Sequence, residues 1–157
     1  MTAFEPAVPT LQPLMRITIN LALPQVTGDV PLGLRRIIAI AGGSFEGQQL
    51  RGVLLPGGGD WQLSRHDAVA EVDARFLLQT DDGALIYAQD KGLRHGPAAV
   101  MARLASGAAV DPKEYYFRTS MQLETAHPDY AWLNRQLVIG SGMRANAQVI
   151  MDLYSVT

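Results

Sequence analysis

Gly52-Val-Leu-Leu-Pro-Gly-Gly-Gly-Asp60-Trp61 is the stretch of this chain that says most about its shape. An apolar strand runs into three consecutive glycines, where no side chain obstructs the backbone, and leaves at a carboxylate beside an indole. Such a bare backbone predicts a close approach by a ligand, by a neighbouring strand, or by the chain itself at a sharp barrel corner. The residues alone leave these three alternatives open.

Polar and apolar residues alternate with period two on both sides of this stretch, which predicts strands. The sequence Asp81-Asp82-Gly83 predicts a hairpin turn, and the glycine-rich segment 41–47 predicts a bent or bulged hairpin between two strands. Pro97 suits the first position of a helix that ends before Gly107, so one short α-helix is expected near residues 97–105. The predicted strands are 16–21, 34–41, 49–55, 70–80, 84–89, 114–125, 136–140 and 147–156.

About eight or nine short strands with one helix predict an all-β fold, because closing the sheet into an antiparallel barrel removes exposed strand edges. Pro6, Pro9 and Pro13 disfavour regular structure at the start of the chain. We therefore expect an extended N-terminal arm over residues 1–14 and a single β-barrel domain over residues 15–157.

Composition excludes several classes of partner. The 157 residues include 13 Lys plus Arg against 15 Asp plus Glu, and a net charge of −2 argues against binding to nucleic acid or to an anionic membrane. The absence of cysteine excludes disulfides and thiolate nucleophiles. The N-terminus lacks a basic start followed by an apolar run, and no apolar stretch is long enough to span a membrane, so a cytoplasmic protein is expected.

The sharper catalytic and metal signals are also missing from the sequence. His66, His95 and His127 are far apart and show no metal-binding spacing, so we expect no metal site. The sequence around Ser141 lacks the full Gly-x-Ser-x-Gly pattern of a serine hydrolase. The glycine-rich segment 41–47 is not followed by the Lys-Ser/Thr pair of a phosphate loop, so no cofactor is expected.

Four polar or aromatic residues near the glycines are candidates for a binding site. Asp60 is typical of a turn residue, and Trp61 would either close one end of the barrel or form a wall of a ligand cavity. Asp73 and Arg75 share one face of their strand, which strict alternation directs to solvent. In a barrel wide enough for a ligand that face would line the lumen instead, and Arg75 would hold an anionic or carbonyl oxygen.

Other candidates come from strands further along the chain. Tyr87, Phe117 and Trp132 would either fill the core or form the walls of a cavity. Glu124 and Arg144 are isolated charges near strand ends. Neither charge indicates a particular chemistry by itself.

A series of short motifs runs through the chain, at 43–47, 55–61, 73–75 with 80–83, 117–119, 132–134 and 138–140. In this order they resemble the small β-barrel proteins known as domain of unknown function 3237, or uncharacterised protein family 0311. The resemblance covers nearly the whole chain after the arm and implies a calycin-like antiparallel barrel, without implying a reaction. Its recurring positions include Asp60, Trp61, Asp73, Arg75, Trp132 and Arg144.

Three functions remain open from the sequence. The leading hypothesis is the binding of a small, partly apolar or aromatic molecule in the barrel, by Trp61, Asp73, Arg75, Tyr87, Phe117, Trp132 and Arg144. The second is a cofactor-independent lyase, isomerase or cyclase, in which Asp60, Asp73 or Glu124 moves a proton and Arg75 stabilises an enolate-like oxygen. The third is a structural homodimer formed through an exposed strand edge.

Overall fold

A computed structural model describes residues 2–157 as ten β-strands, one α-helix and two short 3₁₀ helices. The α-helix α1 spans Ala98–Ala105, and the 3₁₀ helices span Pro112–Glu114 and Pro128–Arg135. The strands are β1 Leu11–Leu21, β2 Gln25–Val30, β3 Gly33–Glu46, β4 Arg51–Leu54, β5 Gly59–Arg65, β6 Ala70–Thr80, β7 Leu85–His95, β8 Tyr116–Glu124, β9 Leu137–Ala145 and β10 Gln148–Val156.

Eight of these strands close into an antiparallel barrel in the order β1-β10-β9-β8-β7-β6-β4-β3, and β1 pairs back onto β3. The strand β2 lies outside this ring and pairs with β3, whereas β5 pairs with β3 and β6. The predicted all-β barrel with one short helix is therefore confirmed.

The glycine triplet marks a break within one position of the sheet. Both β4 and β5 lie between β3 and β6. The strand β4 pairs near one end of these two neighbours and β5 near the other, so residues 55–58 interrupt what would otherwise be a single strand. Gly57 takes a positive φ of 110° in the turn. A Cβ atom on Gly58 would lie 2.8 Å from the Cβ atom of Phe76 and against the Arg75 carbonyl oxygen. The bare backbone thus admits a neighbouring strand, β6.

Three local predictions need correction. The first strand begins at Leu11 rather than near Met15, so residues 11–14 belong to the sheet and not to the arm. The predicted strand 34–41 is too short, because β3 continues to Glu46. The bent or bulged hairpin expected at 41–47 is present in part, since β3 forms an antiparallel hairpin with β4 and its pairing with β1 shifts register opposite Ile40 and Gly42. Asp60 and Trp61 lie in β5, a strand that the sequence did not predict, rather than in a turn. The hairpin turn at 81–83 lies where it was predicted.

The interior of the barrel differs between its two ends. The end beside β4 is filled by buried apolar side chains, among them Ile17, Phe45, Leu78, Ile86, Met121 and Leu153. The end beside β5 carries polar and charged side chains on inward-facing positions. Within residues 2–157, no helix reaches the length and apolar character that crossing a membrane requires.

Candidate functional site

A small cavity lies inside the barrel at the end beside β5. Its volume is about 40 Å³ for the centres of water-sized molecules, which is room for about three waters. Most of its wall is apolar, but five polar side chains also line it: Asp60, Gln62, Asp90, Arg94 and Arg144. The connection between β7 and β8 covers this end, because Leu104 of α1 and Tyr115 are buried in the core.

Asp90 is the most deeply buried charge-bearing group of the cavity wall. Its side chain is 2% exposed, and its Oδ1 atom has no hydrogen-bond partner among the described residues. Burial raises the pKa of Asp90 to about 7; the Thr119 hydroxyl opposes this shift, and the negative charge of Asp60 adds to it. Near neutral pH this carboxyl group therefore exists in both protonation states.

Asp60 faces Asp90 across one intervening strand. Asp60 pairs with Ala74 on β6, and Ala74 pairs with Asp90 on β7, so the small side chain of Ala74 separates the two carboxyl groups. Asp60 accepts hydrogen bonds from the backbone N–H of Asp73 at 2.9 Å and from Gln62 Nε2 at 3.2 Å. Burial raises the pKa of Asp60 despite these hydrogen bonds and the nearby positive charge of Arg94.

Three arginines meet at the same end of the barrel. Arg94 is 6% exposed, its guanidinium lies 5.6 Å from the centre of the Phe117 ring, and its Nε atom has no partner among the described residues. Burial lowers the pKa of Arg94 to about 10, and the positive charges of Arg144 and Arg36 contribute to this shift. Arg94 and Arg144 line the same cavity, and Arg36 lies beside it through its hydrogen bond to Gln62.

Arg36 lies beside the cavity and connects this cluster to Asp60. Its Nη2 atom donates a hydrogen bond to Gln62 Oε1, and Gln62 in turn donates to Asp60, whereas Arg36 Nε has no partner among residues 2–157. Burial and the charge of Arg144 lower the pKa of Arg36. Three guanidiniums and two carboxyl groups line or adjoin the cavity, and the Asp73 carboxyl group outside it lies close enough to raise the pKa of Asp60.

The sequence-predicted candidates divide between the inside and the outside of the barrel. Asp60, Phe117 and Arg144 line the cavity, as the binding and enzymatic hypotheses require. Asp73 and Arg75 lie on the outer face of β6, because the apolar side chains of Val72 and Ala74 take the inward positions. Placing them in the lumen was wrong, and the strict alternation of the strand was the correct guide.

The remaining candidates also lie away from the cavity. Trp61 is 42% exposed on the outside of β5, since Asp60 and Gln62 point inward from the same strand. Tyr87 is half-buried on the outer side of β7, and Glu124 is exposed at the far end of β8. Trp132 lies in the 3₁₀ helix between β8 and β9 and packs against the filled end of the core.

The polar side chains that line or adjoin the cavity include four that the sequence analysis did not identify: Arg36, Gln62, Asp90 and Arg94. The predicted strand over 84–89 stopped one residue short of Asp90, although the alternation of Ile86 and Ala88 continues through Asp90 to Arg94. Asp90 and Arg94 place a carboxylate and a guanidinium on the inward face of β7, which is otherwise apolar. This pattern in the sequence could have identified them as candidate site residues. Gln62 was missed because β5 itself was not predicted.

A second group of potential ligands lies outside the barrel. Atoms of Asp82, His127 and Asp129 lie within 4.8 Å of one another, a spacing that would suit a metal ion. His127 Nδ1 already accepts a hydrogen bond from the backbone N–H of Asp129, and the Asp82 carboxylate accepts hydrogen bonds from Tyr130 and Thr80. These bonds explain the cluster as turn structure, and the absence of a metal site stays a prediction.

Comparison with known proteins places this geometry in a family. Residues 9–156 match the family model described as "Protein of unknown function (DUF3237)". A UPF0311 protein of Rhodopseudomonas palustris strain TIE-1 is 41% identical over 150 residues, which cover 94% of this chain and 98% of that protein.

Two solved structures share the fold over nearly all of their length. A β-barrel-like protein from Acinetobacter baumannii AYE has a TM-score of 0.88 at 46% identity, covering 99% of this chain and all of that one. A conserved protein of unknown function from Rhodopseudomonas palustris has a TM-score of 0.91 at 36% identity, covering 97% of this chain and all of that one.

Proposed function

This chain belongs to the DUF3237 family of proteins of unknown function, and we propose that it binds a small organic anion at the polar end of its barrel. The observation that carries this proposal is the cluster of Arg36, Arg94 and Arg144. Two of these arginines have buried Nε atoms without a partner among the described residues. A buried charge is costly unless it is paired. Arg94 is the buried member of the three, whereas Arg36 and Arg144 are half-buried, so the Arg94 guanidinium is the group that most favours an anion from outside.

The size and lining of the cavity narrow the kind of anion. About 40 Å³ accommodates a head group such as a carboxylate, and is far below the 300–1,000 Å³ of typical drug-sized sites. Planar guanidinium groups suit a carboxylate because they can donate two parallel hydrogen bonds to it. The apolar side chains around the cavity, including Ile38 and Val149, would have to move apart to admit an apolar or aromatic body behind that head group, and they would then contact it. This agrees with the ligand class favoured by the sequence.

We expect benzoate to raise the melting temperature of the protein, and benzamide, its uncharged counterpart of similar shape, to have little effect. The Arg94→Met variant should bind benzoate about 10- to 100-fold more weakly, because it removes a charge-assisted hydrogen-bond donor. Calorimetric titration measures both affinities. Arg75→Met is the matched control, since the same substitution on the outer face should leave binding unchanged. Equal responses to benzoate and benzamide, or equal losses in both variants, would contradict the proposal.

The affinity for benzoate should also depend on pH. Asp90 has a pKa of about 7 and shares the cavity with the anion, so its ionisation adds a repelling charge. We expect benzoate affinity to fall about tenfold between pH 6 and pH 8, the size of one like-charge interaction in partly screened surroundings. Asp90→Asn should flatten this dependence in the same titrations. A wild-type affinity that stays constant across this range would show that Asp90 does not face the ligand.

The enzymatic and the homodimer hypotheses from the sequence each find a different degree of support in the structure. Among the predicted acid–base candidates, Asp60 faces the cavity, which supports an enzymatic role more than solvent-exposed carboxylates would. A homodimer would most simply form through β2, the strand outside the closed ring, and light scattering in solution would detect it. The homodimer and the cytoplasmic location stay predictions.

A further inference from the structure

We propose that Asp90 is a catalytic acid–base residue that moves a proton on the carbon next to a carbonyl group of the bound anion. This inference rests on the proposed anion site and assigns it a substrate class: carboxylates that also carry a ketone, with a C–H group beside the ketone. The chemistry is the interconversion of keto and enol forms, which requires no cofactor.

The position of Asp90 meets the requirements of a proton-transfer group. A general base must reach the proton that it removes, and one carboxylate oxygen must be free to take it. Asp90 lines the cavity, and its Oδ1 atom has no hydrogen-bond partner among the described residues. Asp60, in contrast, uses both of its oxygens in hydrogen bonds. Asp90 is therefore the better placed of the two carboxyl groups.

Arg94 is placed to stabilise the oxygen of the enolate. Asp90, Gly92 and Arg94 take successive inward-facing positions of β7, so the Cα atoms of Asp90 and Arg94 are about 13 Å apart along the strand. Both side chains line the same cavity. The Arg94 guanidinium lies over the ring of Phe117, the residue opposite Arg94 on β8, so a substrate that reaches both groups would lie between Asp90 and this ring. A positive charge beside a developing oxyanion stabilises it most where bulk water is excluded.

The reaction balances within the protein and its substrate. The ionised Asp90 Oδ1 takes the proton of the C–H bond beside the ketone, and the electron pair of that bond becomes a carbon–carbon double bond. The electrons of the carbonyl double bond move onto its oxygen, which becomes an enolate beside Arg94. Protonated Asp90 then returns the proton to that oxygen or to a carbon. A pKa of about 7 supports both halves of the cycle, because each form of Asp90 is populated at neutral pH.

Exchange of the methylene protons of phenylpyruvate into heavy water, followed by NMR, tests this inference. Phenylpyruvate combines a carboxylate, a ketone and an aromatic body. We expect the wild-type protein to accelerate exchange over buffer with an inflection near pH 7, and Asp90→Asn to lose at least about 100-fold of that acceleration. The variant should still bind phenylpyruvate in calorimetric titrations. An Asp90→Asn variant that keeps the wild-type exchange rate would overturn the inference.

Asp60→Asn gives an independent second measurement. Removing the negative charge of Asp60 should move the inflection of the exchange rate to lower pH, because that charge helps to raise the pKa of Asp90. An inflection that does not move would contradict the assignment of Asp90. If phenylpyruvate binds without accelerated exchange, the inference is wrong and the anion site stands. If neither phenylpyruvate nor benzoate binds, the anion site is wrong and the inference fails with it.

Discussion

Replacing Asp90 by asparagine is expected to stabilise the folded protein by about 4 kcal/mol at pH 8. Burial raises the pKa of Asp90 from an ordinary value of 3.8 to about 7, and each pKa unit corresponds to about 1.4 kcal/mol. In acid, both the folded and the unfolded chain hold Asp90 protonated, so the ionisation of Asp90 costs no stability there. As the pH rises from about 4 to 7, the unfolded chain ionises first, and stability is lost until the folded protein ionises as well. Asparagine keeps the shape and removes this loss.

Urea denaturation of both proteins between pH 5 and pH 8 measures the effect. The free energy of unfolding of the wild type should fall relative to that of the variant as the pH rises. Asp152→Asn is the control with the opposite sign, because Asp152 forms an exposed ion pair with Arg16 that lowers the pKa of Asp152. Its loss should cost no more than about 1 kcal/mol at pH 8. An Asp90→Asn variant that is less stable than wild type at pH 8 would refute this account of the residue.

A carboxyl group that costs stability at neutral pH needs a reason to be there. Ala88 and Met121, which lie near Asp90 on the inward side of β7 and β8, show that apolar side chains fit this layer of the barrel. A leucine or methionine at position 90 would avoid the cost. Groups with strongly shifted pKa values tend to occur where a protein uses them, so the energetic penalty and the buried Oδ1 atom, which has no partner among the described residues, point to the same site.

Alternation along single strands predicted much of the fold. It gave the long strands around Phe76 and Phe117, the hairpin at Asp81-Asp82-Gly83 and the outward direction of Arg75. These features depend on residues that are neighbours in the sequence. The same rule would have revealed Asp90 and Arg94 if the predicted strand had been extended beyond Gln89. Its end was placed too early because a run of charged and glycine residues resembles the end of a strand.

The site could not be assembled in the same way, because it depends on register between strands. Asp60 and Asp90 are neighbours in space only because each pairs with Ala74 on the strand between them. A shift of one residue in either pairing would turn one carboxyl group to the outside. Arg36 and Arg144 reach the same place from β3 and β9, and their approach follows from the closure of the ring. No local pattern in the sequence encodes that closure.

Gly58→Ala is expected to destabilise the protein by at least about 3 kcal/mol, the range of severe steric conflicts. The new Cβ atom would meet the backbone of β6 at Arg75 and Phe76, which cannot move without disturbing the barrel. Backbone hydrogen bonds hold both sides of the break in place: Leu55 N donates to Leu77 O, and Ile40 N donates to Gly58 O. The approach of β6 therefore leaves no room at this position.

The neighbouring glycines provide matched controls for urea denaturation. Gly57→Ala meets no atom within 4 Å but must adopt a φ of 110°, which should cost about 1–3 kcal/mol of backbone strain. Gly59→Ala would approach Ile38 O to 3.3 Å, so a small shift should accommodate it with a loss of about 1 kcal/mol. A loss at Gly58 no larger than at Gly59 would mean that β6 does not pass over the break. The expected order of the stability losses follows from the different positions of the three glycines. Gly57 lies in the turn with a positive φ, Gly58 lies against the backbone of β6, and Gly59 begins β5, the strand from which Asp60 points into the barrel.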